Sequence, residues 1–133
     1  MLKPRILLVE NQETLGIIFI NGLKDFEILV MGCHKKLPLD IEKVTKFNPD
    51  ILVTDHGFDG NNQIDGIGII EQLKKMYPKI ECFVRTLPLN NAIIEELTTS
   101  GVPEKRLLSK HLKEEEFGKI FLDALNFEQQ GLA

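Results

Sequence analysis

A strict alternation constrains this chain more than any other feature. Short apolar runs take turns with longer segments whose apolar residues recur at helical spacing. The runs are Arg5–Val9, Phe26–Met31, Asp50–Thr54, Ile80–Val84 and, shorter, about Arg106–Leu108. A short continuous apolar run bounded by turn residues reads as a strand covered on both faces. The first intervening stripe is Thr14, Leu15, Ile17, Ile18, Ile20 and Leu23, ending near Lys24-Asp25. Pro38 opens a second, with Leu39, Ile41, Val44 and Phe47, and Asn48-Pro49 stops it. A third helix is predicted over Gly66 to Met76, with Pro78 beyond it, and a fourth from about Asn90, stopped at Gly101. The last runs from Lys113 to about Glu128, with Phe117, Ile120, Phe121, Ala124 and Leu125 on one face, and Gln129–Ala133 is expected to fray.

Five β-then-α units joined by short links predict an α/β fold, a parallel sheet with helices on both faces. Five units suit the flavodoxin-like strand order 2-1-3-4-5, which makes the first and third strands neighbours. Open sheets of this kind carry their sites at the carboxyl edge, where strand order reverses. The first run stops at Glu10-Asn11 and the third at Asp55. Thr86 follows the fourth, and Lys110 follows Leu107-Leu108. Carboxylate, amide, hydroxyl and ammonium therefore converge on one edge, a set suited to metal-assisted chemistry on phosphate.

With 133 residues the chain reads as one domain, residues 1–133, with no second domain after the last helix. An apolar share of 43% and a charged share of 27% are ordinary for a soluble globular protein. Acidic residues outnumber basic ones 20 to 16, a net charge of −4, which argues against nucleic acid as a partner. Apolar runs fall far short of a bilayer span, so no membrane association is expected. Pro4 and the first strand begin at once, leaving no room for a secretory leader, and a cytoplasmic location follows. Cys33 and Cys82 are isolated and read as small buried hydrophobes in a reducing compartment.

The motifs Ile6-Leu7-Leu8-Val9-Glu10, Pro49-Asp50-Ile51-Leu52-Val53-Thr54-Asp55, Ile64-Asp65-Gly66-Ile67 and Leu107-Leu108-Ser109-Lys110 appear in that order. Each alone is weak; together, on five βα units, the chain resembles a response-regulator receiver domain of two-component signalling from about Lys3 to Asn126. The resemblance implies that Asp55 accepts a phosphoryl group from a histidine kinase or phosphotransfer protein and that a downstream effector protein reads the result. It also implies that Mg²⁺ assists, held by Glu10, Asn11 and Asp55, with Thr86 and Lys110 as the hydroxyl and ammonium of the site. The chain is then no enzyme beyond its self-catalysed phosphoryl acceptance. An aspartate carboxylate is a weak nucleophile and needs such neighbours. Mg²⁺ favours hard oxygen ligands, and fixed cations stabilise charge on a transferring phosphoryl group.

Several positions depart from the family. Asn11 stands where a second acidic residue is usual, so one negative charge is lost and Mg²⁺ is expected to bind weakly. His111 follows Lys110 in place of proline, and a trans bond is expected there. Leu107 occupies the aromatic switch position. The loop from His56 to Asp65 is about three residues longer than usual, with Phe58-Asp59 in place of methionine-proline. These departures favour an alternative, a degenerate receiver acting as a phosphorylation-independent docking module; Asp55 and Lys110 oppose it.

Plainer roles stand beside the sharp ones. Asp55 also suits turn initiation, and Lys110 a solvated lysine. Thr86 lies in the unusual neighbourhood Arg85-Thr86-Leu87, where its hydroxyl also suits a loop cap. Asn11 fits helix N-cap and ligand equally. Asp59 to Asp65 lacks the calcium-loop glycine and glutamate, so a solvated loop is favoured. His34, His56 and His111 match no zinc spacing, and Glu114-Glu115-Glu116 reads as an acidic first turn. A small α/β enzyme finds no support: there is no Walker-type glycine loop, and Gly57 stands where a haloacid-dehalogenase phosphatase needs aspartate.

Overall fold

A computed structural model describes residues 3–10, 23–32, 39–55, 66–86, 89–109 and 112–132, of which 114 and 126–132 by their backbone alone. Among the described residues the order is β1 (Arg5–Val9), β2 (Glu27–Met31), α1 (Ile41–Phe47), β3 (Ile51–Thr54), α2 (Gly66–Met76) and β4 (Glu81–Thr86). It continues with α3 (Asn91–Thr99), a 3₁₀ turn (Glu104–Arg106), β5 (Leu107–Ser109) and α4 (Glu114–Leu132). The strands form one parallel sheet in the order β2-β1-β3-β4-β5, as the βα alternation predicts. Every residue of β3 and β4 is buried, whereas β2 at the edge is half-buried.

Side chains alternate across the strands and build two cores. Leu7, Val9, Leu52, Val84 and Leu107 meet Val44 of α1, Ile69 and Leu73 of α2 and Leu97 of α3. Ile6, Leu8, Ile51, Val53, Phe83 and Leu108 meet Phe117 and Phe121 of α4. Phe121 centres the second core, edge-on to Phe83 at 5.0 Å and to Phe26 at 6.1 Å. Each fully buried large side chain contributes about 1.5–3 kcal/mol, so these two layers hold the sheet between helices on both faces.

Local signals explain most boundaries. Asp40 caps α1, its carboxylate accepting the Lys43 N–H at 3.2 Å, so the helix starts after Leu39 and not at Pro38. Asn48 ends it in the left-handed conformation at φ 54°, its N–H donating to the Val44 carbonyl. α2 matches its predicted span. β4 runs two residues past the predicted Val84, because Arg85 and Thr86 continue the ladder opposite Leu108 and Ser109. α4 runs to Leu132, past the predicted end near Glu128, because Gln129 and Gln130 do not break a helix. The stripe 14–20, Cys33, His34, Pro38, the loop 56–65 and His111 lie outside the described residues. No described helix is long and apolar enough to cross a membrane.

Candidate functional site

Strand register sets the site. Val9 lies opposite Thr54, and Thr54 opposite Val84. Glu10 and Asp55 each follow the last residue of their strands, so both stand at the carboxyl edge on neighbouring strands. The Asp55 N–H donates to the Val9 carbonyl at 3.2 Å, and its own carbonyl accepts the Thr54 hydroxyl at 3.1 Å. The Asp55 backbone is thereby fixed while the residue as a whole stays partly exposed. Gly66 opens α2 directly against that carbonyl, where a β-carbon would clash. The Asp-Gly pair 65–66, read as a family motif, thus has a steric cause at its glycine.

Glu10 is held differently. Its N–H donates to the Met31 carbonyl at 3.0 Å. Its side chain is 3% exposed and faces the guanidinium of Arg85, itself 4% exposed, with Oε1 3.6 Å from Nη1. Arg85 also lies over the Phe117 ring, 5.4 Å from its centroid. Burial follows from parity. Arg85 shares a face of β4 with Phe83, and Glu10 shares a face of β1 with Ile6 and Leu8, so both point into the α4 side. A buried ion pair is costly to break from one side, about 3–5 kcal/mol, because the remaining charge is stranded away from water. Thr86, 5% exposed, ends β4 one residue further on, opposite Ser109.

Glu10, Asp55 and Thr86 therefore come to one sheet edge as predicted. Asn11 and Lys110 lie outside the described residues. Sequence reasoning missed Arg85 as a site residue. Its signal was its place directly after the run, two positions from Phe83 and hence on the same buried face once the strand continues. The described residues include no group of three or more His, Cys, Asp or Glu able to hold a metal ion. The Arg85 guanidinium nitrogen Nη1 lies 3.6 Å from Glu10, beyond hydrogen-bond distance, and a cation there repels a dication. Of the predicted Mg²⁺ set only Glu10 and Asp55 are described, and the cation beside Glu10 makes that pair a poor fit to a tightly held Mg²⁺. A surface depression lined by Pro49, Met76, Tyr77, Pro78 and Leu125 lies at the opposite, amino-terminal edge of the strands, away from this chemistry.

No protein-family model matches the chain, and no curated protein matches it. Solved structures do. A response regulator from Thermotoga maritima superposes with a TM-score of 0.73 at 12% identity, covering 94% of this chain and 99% of its own. The chain has the receiver-domain fold. A response regulator receiver domain protein from Clostridium thermocellum gives a TM-score of 0.71 at 18% identity over 96% of this chain and 98% of that one. A DNA-binding response regulator of the LuxR family from Staphylococcus aureus gives 0.70 at 19% identity, over 91% and 98%. In the receiver fold the edge holding Glu10 and Asp55 is the switch point of strand order, where β1 and β3 meet.

Proposed function

We propose that the chain is a phosphoacceptor receiver in two-component signalling. A carboxylate oxygen of Asp55 attacks the phosphorus of a phosphohistidine on a histidine kinase or phosphotransfer protein. A phosphorus–oxygen bond forms, the phosphorus–nitrogen bond breaks, and the imidazole keeps the electron pair and takes a proton. The observation that carries this reading is Asp55 itself, partly exposed, with its backbone pinned between Val9 and Thr54 at the carboxyl edge beside Glu10. A fixed backbone with a reachable carboxylate keeps a weak nucleophile oriented for in-line attack. Lys110 is assigned the ammonium that balances charge on the phosphoryl oxygens, and Thr86 the hydroxyl drawn toward them. A downstream effector protein then reads the rearranged end of β4 and the segment leading to α3.

The test is intact mass after treatment with acetyl phosphate. One phosphoryl group should add to the wild type and none to Asp55→Asn. Uptake that persists in Asp55→Asn would sink the assignment. A phosphorylation-independent docking module is the second reading, favoured by the pairing of Glu10 with Arg85 and by Leu107, buried and without a polar end, at the switch position. Absence of any uptake would favour it.

A further inference from the structure

Arg85 is a described feature of the acidic edge to which neither the resemblance nor the phosphoacceptor reading gives a role. It is a fully charged side chain, 4% exposed, on the strand next to Asp55, aimed at a carboxylate that is 3% exposed. The Phe117 ring beneath it at 5.4 Å and the aromatic core of α4 keep its plane in place. Two carboxylates on neighbouring strands repel each other and repel an arriving phosphoryl anion. Something positive must offset that repulsion, and in a weakly polar interior an adjacent charge acts strongly. β4 provides that charge within the chain.

We infer that Arg85 is a positioning residue that takes over the charge balance of the acidic edge. It holds Glu10 as a neutralised pair, keeps it out of any metal shell, and makes phosphoryl acceptance at Asp55 largely independent of divalent cation. The inference rests on the phosphoacceptor reading for its second half only; the occupation of Glu10 by Arg85 stands without it. The metal-binding consequence follows directly. Mg²⁺ approaching Asp55 meets one carboxylate, because the other is engaged, and also meets the repulsion of the guanidinium. Arg85→Met removes the charge while keeping an unbranched side chain over Phe117. Arg85→Lys keeps the charge.

The experiment is a Mg²⁺ titration at constant ionic strength, followed by amide NMR, on wild type, Arg85→Met and Arg85→Lys. Uptake of phosphoryl groups from acetyl phosphate is timed in parallel, with Mg²⁺ and with a chelator. Arg85→Met should bind Mg²⁺ about tenfold more tightly than wild type, with Arg85→Lys within about threefold of it. Wild-type phosphorylation should slow by less than about threefold on chelation, and that of Arg85→Met by about tenfold or more. Unchanged Mg²⁺ affinity in Arg85→Met, or wild-type phosphorylation abolished by the chelator, would overturn the inference. The chelator comparison needs no substitution, so it decides the matter even if Arg85→Met does not fold. If no form is phosphorylated under any condition, the phosphoacceptor reading fails, while the titration still reports whether Arg85 occupies Glu10.

Discussion

Gly66 leaves no room for a side chain beside Asp55: a β-carbon there would run into the Asp55 carbonyl oxygen and stand 3.3 Å from Cγ2 of Thr54. The start of α2 and the end of β3 are thus in backbone contact, and the position of Asp55 depends on it. Gly66→Ala should destabilise the fold by about 1–3 kcal/mol, the usual range for forcing atoms into a packed site. It should also slow phosphoryl uptake, because the Asp55 carbonyl must move. Urea unfolding and the timed mass assay read the two effects, and an unchanged urea midpoint would refute the contact.

The ion pair between Glu81 and Arg106, 2.6 Å long with side chains 11% and 16% exposed, joins the start of β4 to the turn before β5. Arg106→Met should cost about 2 kcal/mol, between the values for exposed and for buried pairs. The paired change Glu81→Leu with Arg106→Met should cost less than the sum of the singles. Additive costs in a double-mutant cycle would show that the pair carries no coupling.

Cys82 is 9% exposed in the core between the sheet and α2. Burial pushes its thiol up from an ordinary 9.0 to about 11, against a smaller lowering by Lys74. A folded-state value above the unfolded one means the folded chain holds the proton more tightly. The associated stability is complete below pH 9 and is lost as pH rises from 9 toward 11. Urea midpoints should fall across that window in wild type and fall less in Cys82→Ala. Equal slopes in the two would contradict the assignment.

Thr86 ends β4 with its hydroxyl at the carboxyl edge, 5% exposed. Thr86→Ala should leave phosphorylation of Asp55 within about threefold of wild type, since the nucleophile and its charges are untouched. It should erase the amide shifts that phosphorylation causes in α3, and Thr86→Ser should restore them. Shifts in α3 that survive Thr86→Ala would assign the relay to another group.

The fold was legible because each strand is short, apolar and closed by a turn residue, and each described helix carries one apolar stripe. The placement of Asp55 and Glu10 at one sheet edge was legible because each directly follows a buried apolar run and the predicted strand order sets those runs side by side. Arg85 was not, because the apolar run closes at Val84, whereas the ladder to Leu108 and Ser109 carries β4 past it. The pairing of Glu81 with Arg106 was hidden for a different reason. It joins residues far apart in sequence, and only strand order makes them neighbours. Asp40 as the true start of α1 was masked by Leu39, which is buried without being helical.

One face of β4 reads Glu81, Phe83, Arg85, and each residue has a partner suited to it. Arg106 binds Glu81 and lies 4.7 Å from the Phe83 ring centroid, while Arg85 binds Glu10 and covers Phe117. Sliding the strand by one residue would turn both charges into the aliphatic layer around Val84 and Leu97. Sliding it by two would set an acid where a ring belongs and a ring where a cation belongs. A strand made only of interchangeable aliphatic residues would tolerate such mispairing during assembly; β4 does not. β4 thus proofreads its own alignment, and the edge that carries Asp55 on the neighbouring β3 can be completed only once that alignment is correct.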